Sequence, residues 1–237
     1  MQQRDQLKQK LIAGVTALID EKPQTSVDRK NCSSTNEKSS DHPFSFTDNQ
    51  IELFLDYLAL LIKWNKAYNL TAIRDPFEML TLHLLDSLSI LPFVTKGPVI
   101  DVGTGAGLPG IPLAIAKPDI DFTLLDSNGK KVRFLREVKR QLKLPNIFPI
   151  QNRAEAENPS QVFKVITTRA FADLNKMWQL TKQLGNEQSL YFAMKGQIPE
   201  TEFPQLRSEV TIQATYPLTV PGLNAERHLV VLTKVHK

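Results

Sequence analysis

Cysteine is almost missing from this chain. Of 237 residues only Cys32 is one, so no intrachain disulfide can form and no cysteine-rich metal site exists. That usage fits a reducing, cytoplasmic location. Long apolar runs are missing too. A run such as "LALLI" at 58–62 falls far short of the roughly 20 residues a membrane-spanning helix needs. Lys8 and Lys10 precede an apolar "LIAGVTALI" in the manner of a secretory leader, but Asp20, Glu21 and Lys22 come after it with no small-residue cleavage site. Leu7, Leu11, Val15, Leu18 and Ile19 fall at helical spacing instead. Neither sign of charge dominates: the net charge is +4, a mildly basic balance compatible with a polyanionic partner. Glycine is sparse, 10 residues in all, yet four of them crowd into "VGTGAGLPG" at 102–110. So uneven a distribution points to one place where the backbone must turn sharply or approach a ligand.

Residues 22–43, "KPQTSVDRKNCSSTNEKSSDHP", hold only Val27 and Cys32 as aliphatic or thiol side chains. Such a segment cannot bury enough surface to offset its ordering entropy, and a flexible insert is expected. After it, Thr47 and Gln50 form a capping box, with Ile51, Phe54, Leu55, Leu58 and Ile62 next on one helical face. Asp75-Pro76 opens another helix, reaching about Leu91. Apolar residues surround it except for a stripe of His83, Asp86 and Ser87. Either that stripe is a solvent face, or it lines a pocket on a mostly buried helix.

From Pro98 the pattern alternates. Strands are expected at 98–102, 121–126, 146–150, 162–167 and 189–194, with helices near 108–117, 129–143, 171–184 and 200–209. Two last strands, 210–217 and 228–235, have no clear helix between them. The reading is α/β: a mostly parallel, doubly wound Rossmann-like sheet with an antiparallel edge hairpin and an N-terminal helical extension. The extension covers 1–92, including the 22–43 insert, and the sheet domain covers 93–237. Ligands of such sheets sit beyond the carboxyl ends of the strands, where the glycine loop falls.

Gly105, Gly107 and Gly110 satisfy G-x-G-x-x-G, and Asp126 ends the second strand where a ribose-binding acid belongs. A nicotinamide or flavin cofactor would fit that much. Asp101 argues against it. A carboxylate at the end of the first strand, facing the pocket, would repel a pyrophosphate. It would attract the sulfonium and ammonium of S-adenosylmethionine, which carries no phosphate. Arg153, Ala154 and Glu155 come just after the third strand, where polar groups around an adenine are expected.

The helix "GKKVRFLREVKRQLK" carries Lys130, Lys131, Arg133, Arg136, Lys139, Arg140 and Lys143 against one acid, with Val132, Leu135, Val138 and Leu142 on its buried side. It is either a solvated face or a phosphate-binding strip. Lys66, Arg74, Arg153, Arg169 and Lys195 are expected to border the cleft. Methylation of a pyrimidine carbon needs a cysteine nucleophile, and Cys32 lies in the insert. "TTRAF" at 167–171 lacks the Asn/Asp-Pro-Pro-aromatic turn of exocyclic-amine methyltransferases. A ring nitrogen with a free lone pair, such as guanine N7, needs neither device.

The strings "WNKAYNLTAIRDPFEML" (64–80), "HLLDSL" (83–88), "IDVGTGAGLPGIPLAI" (100–115), "FTLLDSNGKKVRFL" (122–135), "TRAF" (168–171), "MKGQ" (194–197) and "ERHLVV" (226–231) occur together and in order. On them the chain resembles the ribosomal RNA small subunit methyltransferase G family, also called glucose-inhibited division protein B, over nearly everything from residue 48. The resemblance implies an enzyme that uses S-adenosylmethionine to methylate N7 of a guanine in bacterial 16S ribosomal RNA, free or in a small-subunit assembly intermediate. It implies cofactor contacts from Gly103, Leu108, Ala154, Glu155 and Arg169, to which the charge, loop and ribose arguments add Asp101, Gly105 and Asp126. Arg169 is also expected to align the reactants. RNA contacts are expected from Lys66, Arg133, Arg136, Arg140, Arg153 and Lys195. A monomer with no membrane contact and no obligate protein partner is expected. Thr168 stands where the family often has serine, and the 22–43 insert is longer than the usual connection. The rival readings are a nicotinamide oxidoreductase and a non-catalytic RNA-binding or ribosome-assembly protein.

Overall fold

The computed structural model describes residues 2–20, 45–169, 171, 173–198, 200–206 and 208–235. The 22–43 insert and Cys32 lie outside the described residues. Helix α1 is Gln2–Asp20 and α2 is Asp48–Tyr68. The capping box forms as read: the Thr47 Oγ1 accepts from the Gln50 amide at 3.2 Å, and the Thr47 amide donates to Gln50 Oε1 at 3.0 Å. Asp75 then caps the next helix by accepting from the Phe77 and Glu78 amides, both at 2.9 Å. That helix is α3 (Pro76–Met79), a π-helical stretch (Leu80–Leu85) and α4 (Asp86–Leu88) in one run. In the π-helical stretch the Asp86 amide reaches Thr81 O. One extra residue per turn rotates the residues downstream of it by roughly 100° relative to ideal α-helical spacing.

The sheet is built from β1 Val99–Val102, α5 Gly110–Ala116, β2 Phe122–Asp126, α6 Gly129–Leu142, β3 Ile147–Gln151, β4 Val165–Thr168, α7 Leu174–Thr181, β5 Leu190–Lys195, β6 Val210–Pro217 and β7 His228–Lys234. The strand order is β3-β2-β1-β4-β5-β7-β6. The first five strands pair in parallel, whereas β7 runs antiparallel to both β5 and β6. Strands β1, β2 and β4 are buried throughout, as expected for parallel strands covered on both faces. The helix expected at 200–209 is instead a single 3-10 turn, Phe203–Gln205. Pro204 disfavours helical geometry in the residue before it and cannot donate an amide.

One apolar core runs from Leu7, Leu11 and Val15 of α1 through Phe54 and Leu58 of α2 to Leu108, Ile111 and Phe134. The helical extension therefore shares its core with the sheet. A second cluster, including Ile100, Ile166, Trp178 and Tyr191, fills the opposite face. Among the described residues no helix is long and apolar enough to cross a membrane.

Candidate active site

The order places a switch point between β1 and β4, where the winding reverses. A ligand crevice is expected at that point. A cleft of about 520 Å³ opens beyond the ends of β1, β2 and β3. Its wall includes Gly103, Asp126, Asn152, Arg153, Ala154 and Glu155. The glycine loop is tied down by backbone bonds: the Gly103 and Thr104 amides both donate to Leu125 O, at 2.8 and 3.1 Å. Gly103 has φ +70°, and a Cβ placed on it would meet no heavy atom within 4 Å. That open space is the cleft itself, so a ligand can lie directly on the backbone. The Gly105 amide donates to Asp126 Oδ2 and the Asn128 amide to Oδ1, at 2.9 and 2.8 Å. Lys131 Nζ stands 3.7 Å from Asp126 Oδ2. The carboxylate is thus fixed at the cleft edge.

Asp101 corrects the sequence reading. Its side chain does not face the cleft. It is fully buried beneath the loop, where Oδ2 accepts from Thr104 Oγ1 at 2.6 Å and from the Gly110 amide at 2.8 Å. Oδ1 has no partner among the described residues. A Cβ on Gly110 would come within 2.9 Å of Asp101 Oδ2, so the third glycine of the motif serves this close approach. The acid braces the loop from below and takes no part in the cleft's charge; Asp126 and Glu155 do line the cleft, beside Lys131, Arg153 and Lys176. Neither Gly105 nor Leu108 lines it, and the Leu108 side chain is buried in the core. Tyr57, which sequence reasoning missed, is a second brace. Its hydroxyl donates to Ala106 O at 2.9 Å from a buried position on α2.

Burial pushes the Asp101 carboxyl up to about 6, only partly offset by the Thr104 and Gly110 hydrogen bonds. A raised value means that the folded chain holds this proton more tightly than the unfolded chain. The stability it contributes is full below about pH 4 and is lost as pH rises through about 6. In denaturant unfolding, the stability of the parent minus that of Asp101→Asn should fall by on the order of 3 kcal/mol from pH 4 to pH 7. A difference that is constant or grows with pH would contradict this electrostatic account.

A second cleft, of about 420 Å³, is lined by Ile73, Leu82, His83, Asp86, Arg169, Met194, Lys195, Gly196 and Arg227. This settles the polar stripe. His83, Asp86 and Ser87 are all buried, so it is not a solvent face. Arg169 carries its guanidinium to this cleft. Its Nη1 donates to Leu82 O and to Asp86 Oδ2, both at 3.2 Å. Its ion-pair partner among the described residues is Asp86. Arg227 Nε donates to the other oxygen, Oδ1, at 2.8 Å. Arg227 was not singled out from sequence, because "ERHLVV" has no periodic or spacing signal that marks its arginine. His83 Nε2 lies 2.8 Å from Thr71 Oγ1. Burial first, and Arg169 second, push the His83 pKa down to about 4, so the ring is neutral at physiological pH. Lys195 Nζ donates to Phe171 O at 3.2 Å and pairs with Glu202 at 3.5 Å.

The remaining cations divide. Arg153 is on the wall of the first cleft. Lys66 is exposed on the last turn of α2 and lines neither cleft. Arg74 caps the end of α2, donating to Asn65 O and Asn69 Oδ1. Arg133, Arg136 and Arg140 are exposed along α6, and Arg140 is paired with Glu137 at 2.7 Å.

Parallel strands around a switch point, an open glycine cradle, an acid ending β2 and a polar loop after β3 are the frame of a Rossmann-like S-adenosylmethionine-dependent methyltransferase. TrmN from Thermus thermophilus superposes with TM-score 0.52 at 14% identity, over 72% of this chain and 53% of that one. A SAM-dependent methyltransferase from Aquifex aeolicus superposes with TM-score 0.50 at 18% identity, over 73% and 97%. At those identities the likeness is one of fold alone. The family pattern of rRNA small subunit methyltransferase G matches residues 50–230. Ribosomal RNA small subunit methyltransferase G of Legionella pneumophila is 53% identical over 189 residues, 78% of this chain and 88% of that protein. The Escherichia coli protein of the same name is 50% identical over 192 residues, 81% and 93%. The chain belongs to the rRNA small subunit methyltransferase G family.

Proposed function

We propose that this chain transfers a methyl group from S-adenosylmethionine to N7 of a guanine in 16S ribosomal RNA, acting in the cytoplasm on the small subunit or an assembly intermediate. The observation that carries this reading is a pair of clefts tied at Phe171, which lines the first and whose carbonyl accepts from Lys195 of the second at 3.2 Å. One has an open backbone cradle, with Asp126 and Glu155 set among Lys131, Arg153 and Lys176. The other has Arg169, Lys195 and Arg227 against one acid, Asp86. Bound in the first cleft, S-adenosylmethionine supplies an electrophilic methyl group. Gly103 then takes its amino-acid and ribose portions against the backbone, Asp126 the ribose hydroxyls, and Ala154 with Glu155 the adenine. The second cleft receives the guanosine. Arg169 holds its O6 or a phosphate and does not donate to N7, since that would block the attacking lone pair. N7 has no proton to lose, so no side chain has to act as base, and alignment carries the rate. The 1–92 extension supports the loop through Tyr57 and the shared core of the 93–237 domain.

Labelled methyl transfer to naked 16S RNA, to an assembly intermediate and to mature small subunits tests the reading. It is expected to mark one guanine, at N7. Transfer to none of the three would reject it in favour of a binding protein. Calorimetry is expected to show binding of S-adenosylmethionine and none of NAD.

Phosphate contacts beyond the cleft are assigned to α6. Arg133 is little more than one helical turn from the cleft end, whereas Arg140 is roughly 16 Å along the axis at 1.5 Å per residue. Changing Arg133, Arg136 and Arg140 together to glutamine should weaken RNA binding about tenfold at 150 mM salt and flatten its salt dependence. Cofactor affinity should be unmoved. An unchanged salt slope would make the strip a solvated face only.

A further inference from the structure

We propose that Asp86 is a positioning residue that holds Arg169 and Arg227 as a pair of cations aimed at the oxygen acceptors of the target guanosine nucleotide. The inference rests on the function proposed above and concerns the second cleft alone. Each carboxylate oxygen serves one arginine, Oδ1 taking Arg227 Nε at 2.8 Å and Oδ2 taking Arg169 Nη1 at 3.2 Å. The three residues come from distant parts of the chain: Asp86 from the helix of the extension, Arg169 from the end of β4, and Arg227 from the residue before β7. The π-helical stretch ends at Leu85, immediately before the acid, and π-helical turns recur where a side chain must be re-aimed.

The partition of exposure distinguishes this from a plain structural ion pair. The Asp86 side chain is 5% exposed, whereas those of Arg169 and Arg227 are 24% and 26% exposed. A buried pair that serves stability alone satisfies the donors it buries. Here one nitrogen of each arginine meets the acid, Arg227 Nε and Arg169 Nη1, and Arg169 Nη2 lies 3.4 Å from His83 Nδ1. Among the described residues Arg227 Nη2 and Arg169 Nε have no hydrogen-bond partner, and both side chains line the cleft. One acid between two guanidiniums also leaves a net positive charge in the cleft. An anionic phosphate or the guanine O6 edge meets that charge and those donors, and arginine presents them in a fixed plane. Without the acid, two like charges on one wall repel and swing toward solvent, and the pair loses its register with the methyl donor.

The test compares the full-length parent with Asp86→Asn, which keeps the shape and removes the charge. Steady-state methylation of small subunits that lack the modification should show turnover reduced about 100-fold, the scale of an ångström of misalignment. Cofactor Kd should stay within about threefold, because the first cleft is lined by other residues. RNA affinity should hold or tighten, because an acid has left a cationic cleft. A merely structural acid would lower melting temperature, cofactor affinity and RNA affinity together. In an Arg227→Gln background, adding Asp86→Asn should cost less than about fivefold more, since both act through one pair. Turnover of Asp86→Asn within about threefold of parent, or independent multiplication of the two effects, would overturn the proposal. If Asp86→Asn does not fold, Arg227→Gln alone decides: it must lose turnover at unchanged cofactor Kd, and parental turnover overturns the pair. An inactive parent would reject the proposed function, whereas an active parent with an active Asp86→Asn rejects only the role of Asp86.

Discussion

Replacing Gly103 with leucine is expected to abolish S-adenosylmethionine binding, with Kd raised at least about 100-fold, while the fold survives. Gly103 sits at φ +70° on the wall of the first cleft, and a Cβ there would point at no protein atom within 4 Å. A leucine side chain therefore fills ligand space and displaces no part of the core. The cost to the fold is the left-handed backbone of a non-glycine residue, about 1–2 kcal/mol. That is modest against the roughly 5–15 kcal/mol that stabilises a typical domain. The amide bond from Gly103 to Leu125 O, at 2.8 Å, does not involve the side chain and keeps the loop seated. Calorimetry with the cofactor, beside thermal unfolding of the same samples, separates the two effects. Binding at parental affinity would show that the cradle is not the cofactor site. Loss of binding together with collapse of the melting transition would show a structural glycine instead.

Arg169→Lys should lose about 100-fold in turnover although the charge is kept. Arginine reaches Leu82 O and Asp86 Oδ2 with Nη1, lies 3.4 Å from His83 Nδ1 with Nη2, and still offers Nε. A lysine ammonium cannot make those contacts in one plane. The parent rate should be nearly flat between pH 6 and 9, for two reasons. Guanine N7 has no proton to remove. His83, the titratable ring on this cleft, has its pKa pushed down to about 4 by burial and by Arg169, so it stays neutral throughout that range. Its Nε2 is also engaged with Thr71 at 2.8 Å. A depressed histidine pKa means that stability from this group is present above about pH 6.5 and is lost as pH falls through about 4. The flat window lies on the stable side except for its lowest half-unit, well above the folded-state value. A single steep pKa near neutrality in the rate, abolished by His83→Gln, would make His83 a proton-transfer residue and overturn the alignment mechanism.

Much of the molecule was legible from residue order. Capping boxes, strand–helix alternation and the glycine cluster are local signals. Thr47 with Gln50, and Asp75 before Pro76, need only neighbours three residues away to do what they do. The parallel sheet is a consequence of alternation itself, because parallel neighbours require a crossover. Asp126 was placed correctly at the cleft because it ends a strand beside the switch point. Asp101 comes one residue before the end of its strand, and its side chain lies under the loop. Strand position says where the backbone stops, not which side chains near its end a folded-over loop will cover. The stripe on 76–88 stayed ambiguous for a related reason. Reading it at 3.6 residues per turn assumes an α-helix throughout, and the π-helical stretch breaks that period.

Sequence alone was enough for the class of fold, the place of the glycine loop along the chain, and the family, since all three rest on local pattern or on order along the chain. Folding in three dimensions was needed to bring Asp101 and Tyr57 to the loop from opposite elements, to bury the polar stripe, and to set Arg169 against Asp86. It alone joined Arg227 to them, from 141 residues beyond that acid. The physical reason is that a buried charge is stable only where partners converge on it. Convergence across a sheet depends on crossing order and side-chain direction, which no short window of sequence contains.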